Sequence, residues 1–134
     1  MIATSPYADV PIPDLSLPDY VLEHAECYTD RPALIDGVSG RTMTYAELAE
    51  QVRRAAAGLA AHGFGPGDVL ALVCPNIPEY AVMFLAALRL GGIVTPVNPL
   101  FKRGELRFQL RDSRASLLVT TPTALDTALA AAEQ

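Results

Sequence analysis

Cysteine is scarce in this chain of 134 residues: Cys27 and Cys74 are the only two, far apart and outside any CxxC spacing. That excludes a disulfide framework and a thiolate metal knuckle. Two lone thiols without a secretory leader point to a reducing, cytoplasmic compartment. Free, buried thiols are the simplest expectation for both. Histidine is held to two residues, His24 and His62, and the sequence places neither beside a cysteine, so a Cys–His nucleophile is unsupported. His62 precedes Gly63 at an expected helix end, where its charge favours the dipole. Both histidines read as structural or solvent-facing, and no ligand cluster with metal spacing occurs.

Lysine occurs once, as Lys102, and the nine arginines are scattered apart from a loose group running from Lys102 to Arg114. With a formal net charge of −5 and a pI near 4.8, the chain lacks the clustered basic surface that nucleic acid requires. Long hydrophobic runs are missing as well. The uncharged stretch Tyr80 to Leu88 is closed by Arg89 and is far shorter than the roughly 20 residues a membrane span needs. The opening MIATSPYADVPIPDL has no basic start followed by an apolar core and does not read as a secretory signal. A hydrophobic content of 51% with mean hydropathy +0.25 is a soluble globular composition, enough for one domain with a single core.

What is present is a regular succession of short elements. Pro6, Pro11, Pro13 and Pro18 make residues 1–15 an extended arm expected to lie against something else. Ser16 can cap a helix carrying Tyr20, Val21, Leu22 and Ala25. PALIDG and RTMTY read as two strands around a turn at Gly37 to Gly40. In TYAELAEQVRRAAAGLAAHG, Thr44 and Glu47 have capping-box spacing. Tyr45, Leu48, Val52, Ala55, Ala56 and Leu59 give one apolar stripe, and Gly63 ends the helix. FGPGD is a turn into the strand VLALVC. Asn76 with Glu79 repeats the capping spacing ahead of the apolar helix, which Gly91 and Gly92 stop. IVTPVN is the next strand and NPLFKRG a loop. GELRFQLRDSR is an amphipathic helix through Leu106, Leu110 and Phe108. SLLVTT is a further strand, and Thr121 with Pro122 starts a last alanine-rich helix.

From Asp68 onward the order is β-α-β-α-β-α with short connections. That predicts an α/β fold: a parallel-sheet βαβαβα segment with helices on both faces. VLALVC, apolar on both sides, agrees with a sheet covered on both faces. The Tyr80–Leu88 helix has no polar side, and such a helix is normally buried all round. Set on a three-strand sheet, it is expected to expose several large side chains, each forfeiting about 1.5–3 kcal/mol in water. Two arrangements would cover it: a larger protein of which this chain is a piece, or a non-enzymatic α/β module dimerising through this helix.

The chemistry-bearing residues are few. GFGPGD follows a helix and opens a strand, the reverse of a phosphate-cradling loop, and the turn after VLALVC carries Pro75, Asn76 and Pro78 where glycines would be needed. NPLFKRG lies at a strand's carboxyl end, where ligands of open α/β sheets bind. There Lys102 and Arg103 could meet an anion such as a nucleotide phosphate. The simpler reading is a solvated basic turn with Leu100 and Phe101 packed inward. Asp112, Ser113 and Arg114 are explained by a hydrogen-bonded helix end. No acid–base pair, triad or metal set is visible, so no catalytic, cofactor-binding or metal residue is assigned.

The wording of the sequence nevertheless resembles the start of the adenylate-forming (AMP-dependent synthetase/ligase) superfamily: acyl-CoA synthetases, 4-coumarate-CoA ligases, luciferases and peptide-synthetase adenylation domains. The likeness is carried by TYAEL, GPGDVLAL, PNIPEY, ALRLGGIVTPVNP and DSRASLLVT, and it extends from Leu15 to Thr121. PNIPEY with VNPLF and a following GEL looks most like the 4-coumarate and fatty-acyl ligases. The resemblance implies that 1–134 is the N-terminal part of a large adenylation domain, incomplete by itself. The complete enzyme would use ATP, Mg2+ and coenzyme A to convert a carboxylic acid into its thioester, in fatty acid or phenylpropanoid metabolism. The family's Gly-rich phosphate loop, its acidic ATP-contacting motif and its catalytic lysine are expected beyond Gln134, and Lys102 matches none of them. Where the family has Ser/Thr-Pro-Glu-Leu, this chain has Lys102, Arg103 and Gly104 before Glu105, an altered helix cap. In the acetyl-CoA-synthetase branch the loop matching Asn98, Pro99 and Leu100 borders the CoA nucleotide, but the residue types differ and the role is not carried over. The segment alone is expected to be inactive and to bind none of these cofactors tightly.

Overall fold

Prolines dominate the beginning of the chain and keep it out of regular structure. In the computed structural model, which describes residues 5–133, residues 5–15 form neither helix nor strand and are exposed throughout. Regular structure begins at Ser16, whose hydroxyl accepts from the Asp19 amide at 3.3 Å and donates to the Asp19 carboxylate at 2.6 Å. This caps α1, Leu17–Leu22, and a 3-10 turn at Ala25–Tyr28 follows.

An antiparallel hairpin comes next, β1 (Pro32–Ile35) paired with β2 (Thr42–Thr44). Asp36 organises its turn by accepting from the Val38 amide at 2.9 Å and the Ser39 hydroxyl at 2.7 Å. β2 runs directly into α2, Tyr45–Ala61, through the expected capping box. The Thr44 amide donates to the Glu47 carboxylate at 2.8 Å, and the Glu47 amide to the Thr44 hydroxyl at 3.2 Å. Leu48, Val52, Ala56 and Leu59 form its buried stripe, with Tyr45 and Ala55 half-buried beside them. At the other end the His62 ring nitrogen Nδ1 lies 2.8 Å from the Gly58 carbonyl, and Gly63, at φ +82°, turns the chain out of the helix.

The rest is the βαβαβα unit: β3 (Val69–Val73), α3 (Pro78–Arg89), β4 (Ile93–Val97), α4 (Arg103–Ser113), β5 (Leu117–Thr120) and α5 (Leu125–Ala132). The three strands are parallel in the order β4-β3-β5, with Val73 opposite both Val97 and Thr120. Central β3 sorts its side chains by alternation. Leu70 joins Ala56, Leu59, Phe64, Ala86 and Ala87 beneath α2 and α3. Ala71 and Val73 join Val97, Leu106, Ala128 and Ala131 beneath α4 and α5. A third cluster fastens the hairpin and α2 to α3 through Met43, Leu48, Val52, Val82 and Leu85. Proline stands inside β4 at Pro96. The Ile93 amide donates inward to Asp68 at 2.8 Å, so alternation puts the nitrogen of Pro96 on the outer side of this edge strand.

Several expectations are corrected. The apolar helix is not exposed: in α3 Val82, Leu85, Ala86 and Ala87 are buried, while Tyr80, Met83, Phe84 and Leu88 are half-buried. Its outer side is covered by α1, α2 and the hairpin, all encoded before Asp68 and so upstream of the three-strand unit. A module that dimerises through this helix therefore has no exposed greasy stripe to use. Asn76 does not cap α3. Pro78 takes the first helical position, Ile77 becomes the cap residue without a side-chain bond, and Asn76 falls outside the helix. Phe108 is 71% exposed, because two residues beyond buried Leu106 lies the opposite side of α4. Leu100 is likewise exposed, and only Phe101 of that loop packs on the core. Thr121 opens a 3-10 turn at Pro122–Ala124 and makes no side-chain cap; α5 begins at Leu125. Cys27 is exposed and only Cys74 is buried.

Candidate functional site

An open parallel sheet binds ligands at its carboxyl edge, where successive connections leave in opposite directions. Here the chain passes from β3 to β4 on one side, then crosses to β5 on the other, so the switch point lies between β3 and β5. The register sets Asn98, Cys74 and Thr121 in one row just past the strand ends. The groups there are mostly neutral. The Thr120 hydroxyl donates to the Val73 carbonyl at 3.1 Å, and the Thr121 and Thr123 hydroxyls lie 2.9 Å apart. Burial, with the nearby Glu79 charge, pushes the Cys74 thiol up, which disfavours its thiolate.

The hairpin leans over this edge. Arg41 donates through both terminal nitrogens to the two carboxylate oxygens of Glu79 at 2.6 Å each, a bidentate pair joining the hairpin to the first turn of α3. Glu79 is thus spent on a partner 38 residues away in sequence. Between them a cavity of about 190 Å3 is lined by Leu34, Ile35, Asp36, Asn76, Ile77 and Tyr80, among others. Arg41 holds the Glu79 carboxyl below its ordinary value of 4.5, chiefly by hydrogen bonding. The Ser39 hydroxyl, then the Val38 and Ser39 amides, hold Asp36 below 3.8.

Both shifts have the same sign. A carboxyl with a lowered folded pKa contributes stability that is complete above its unfolded value and is lost as pH falls through the folded one. Urea midpoints are therefore expected to hold steady from about pH 7 to 5 and to drop below about pH 4.5. Glu79→Gln should lower the midpoint at neutral pH and flatten, without abolishing, the acid limb, since Asp36 remains. About 1 M salt should shrink the Glu79 contribution. An unchanged acid limb in Glu79→Gln would show that the pair does nothing for folding.

The loop at residues 98–102 is a local turn. The Asn98 side chain accepts from the Leu100 amide at 3.0 Å, and the Asn98 carbonyl from the Phe101 amide at 3.0 Å. Lys102 and Arg103 are exposed. The altered cap keeps half a capping box: the Lys102 amide donates to Glu105 at 2.9 Å, while an ammonium has no lone pair with which to return the bond. Asp112, Ser113 and Arg114 end α4 as expected, with the Ser113 hydroxyl donating to the Gln109 carbonyl at 2.7 Å and Arg114 left-handed at φ 54°. The turn from Gly63 to Gly67 sits at the amino end of β3, away from the ligand edge. Among the described residues no group of His, Cys, Asp or Glu could hold a metal, and none of their helices is long and apolar enough to cross a membrane.

The sequence pattern of the family described as "AMP-binding enzyme" matches residues 21–134, and the chain belongs to that family. Among its relatives, 4-coumarate-CoA ligase 5 of Oryza sativa subsp. japonica is 43% identical over 115 residues, 85% of this chain and 21% of its own length. The 4-coumarate-CoA ligase 4 of Arabidopsis thaliana is 36% identical over 130 residues, 93% of this chain and 23% of its own. The benzoate CoA ligase from Burkholderia xenovorans LB400 superposes with a TM-score of 0.81 at 26% identity, over 87% of this chain and 24% of that one. The N-terminal domain of FACL13 from Mycobacterium tuberculosis does so at 0.77 and 27%, over 89% and 31%. The chain thus spans about a fifth to a quarter of the curated relatives it matches.

Proposed function

We propose that this chain is the N-terminal part of an ATP-dependent acid–CoA ligase of the 4-coumarate or fatty-acyl type. In this reading 1–15 is an arm preceding the adenylation domain that starts in α1. The enzyme joins a carboxylic acid to ATP, releasing pyrophosphate, and passes the acyl group from AMP to the thiol of coenzyme A. The observation that carries the reading is the 43% identity over 115 residues to a 4-coumarate-CoA ligase. The cysteine usage supports a cytoplasmic site, and a hydroxycinnamic or a fatty acid is the expected substrate.

The residues present do not fit ATP or Mg2+. No described cluster could bind the metal, and the only glycine-rich turn opens a strand instead of a helix. The chain's share of the enzyme is the frame: a sheet with both faces packed, and a carboxyl edge held by the Arg41–Glu79 clamp. The purified 134-residue chain, given coumarate or a fatty acid with ATP and coenzyme A, is expected to release no pyrophosphate above the blank. The coding sequence after Gln134 is expected to continue into a Gly-rich loop ending in Pro-Lys-Gly. Turnover by the short chain, or a continuation lacking that loop, would overturn the proposal.

A further inference from the structure

One flank of α4 packs against α5, and the other stands open beside the edge strand β4. A groove of about 690 Å3 lies between that open flank and the strand. Glu105, Phe108, Gln109, Asp112 and Ser113 line it and recur at steps of three and four, so they share one side of the helix. The strand contributes Thr95, which by alternation points to the same face of the sheet as Val97, buried beneath α4. Half-buried Phe101 closes the amino end. The exposed Phe108 ring is therefore one wall of a groove whose far end holds a second aromatic ring. Helical spacing sets Arg107 and Arg111 beyond Phe108, and no lysine or arginine is among the lining residues.

The polar side chains of the groove are left mainly as acceptors. Gln109 commits both amide hydrogens, donating to the Thr95 hydroxyl at 2.9 Å and the Pro96 carbonyl at 2.8 Å, which leaves its Oε1. Ser113 commits its hydrogen to the Gln109 carbonyl at 2.7 Å and keeps its lone pairs. Glu105 stands at the amino end of α4, where its carboxylate accepts from the Lys102 amide and is offset by the helix dipole. Asp112 stands at the carboxyl end, where the dipole adds to its negative charge, and it takes part in none of the ion pairs among the described residues. A cation is thus favoured at the Asp112 end, one helical turn from the face of Phe108, where the ring attracts it further. An ammonium brings three donors to the acceptors of Asp112, Gln109 and Ser113. The two phenylalanines ask for an apolar body, and the volume falls in the range of small-molecule sites, about 300–1,000 Å3. We propose that this groove binds a small primary amine in its ammonium form, with the charge on Asp112 and an aromatic body between Phe108 and Phe101.

Phenethylammonium is the probe, titrated at neutral pH into the 15N-labelled 134-residue chain. Saturable shifts are expected at the amides of residues 104–113 and of Thr95. Phenethyl alcohol, which has the ring without the charge, and methylammonium, which has the charge without the ring, should each bind at least about tenfold more weakly. So should N-acetyllysine amide, which carries an ammonium as a peptide would. Asp112→Asn and Phe108→Ala should each weaken the probe about tenfold. Both side chains are exposed, so melting temperatures close to that of the parent chain are expected to separate lost binding from lost folding. Binding of the alcohol, methylammonium or the lysine amide as tightly as the probe overturns the proposal, as does equal binding of phenylacetate. Indifference to either substitution overturns it too, and so does the absence of saturation by about 20 mM probe.

Discussion

Replacing Gly92 with alanine is expected to lower stability by about 2–3 kcal/mol, the upper part of the range for overpacking a core. A Cβ at this position would stand 2.4 Å from Cε1 and 2.5 Å from Cζ of Phe64, and 3.1 Å from the Ala87 carbonyl oxygen. Contacts at 2.4–2.5 Å cannot persist, so something must move. Phe64 is buried in the cluster beneath α2 and α3, among Leu59, Leu70 and Ala87, so its ring can yield only by disturbing those neighbours. The carbonyl belongs to the backbone of α3 and accepts from the Gly92 amide itself. For a chain of this size the loss should lower the melting temperature by roughly 6–15 °C. The contact makes its own control. Phe64→Leu shortens the ring that Gly92→Ala strikes, so the double variant should be more stable than the sum of the single effects, by about 1 kcal/mol or more. Strict additivity would mean that the ring does not oppose the methyl group.

Leu106→Ala should cost about 2–5 kcal/mol, a large part of the roughly 5–15 kcal/mol that holds a typical domain together. Leu106 is 1% exposed and is the only buried residue of α4. It meets Ala71 and Val73 of β3, Val97 of β4, and Ala128 and Ala131 of α5. Those neighbours are small or stiff, so they collapse poorly into the space left by a leucine. Phe108, on the same helix but exposed, is the matched comparison: Phe108→Ala should stay within about 0.5 kcal/mol. Hydrogen exchange should show α4 and α5 losing protection together in Leu106→Ala, with α2 and α3 less affected. Similar costs for the two substitutions would show that α4 is seated differently.

These two residues also mark where sequence reading succeeds. Leu106 lies on the stripe that helical spacing predicts, and Gly92 on the stop after the apolar helix; what presses on Gly92 is set by tertiary packing and was invisible. Local signals carried furthest. Thr44 and Glu47 cap α2 as their spacing implies, because both partners of that box lie within one turn. Asn76 and Glu79 have the same spacing and fail, because Pro78 resets the helix start and Arg41 of the hairpin takes Glu79. The composition of α3 implies burial, which holds, but the cover comes from α1, α2 and the hairpin of this same chain, through contacts distant in sequence. The βαβ order makes the sheet's carboxyl edge legible, whereas its hydroxyls and amide are too common to stand out.

Pro96 has a consequence for behaviour at high concentration. With the proline nitrogen turned outward, the β4 margin lacks one of the donors that a docking strand would need, which guards that flank against ladder growth. The β5 margin, LLVT, has neither proline nor charge to play the same part. Of the two open margins of the sheet, the β5 flank is therefore the one that offers an unbroken row of backbone donors and acceptors to an added strand.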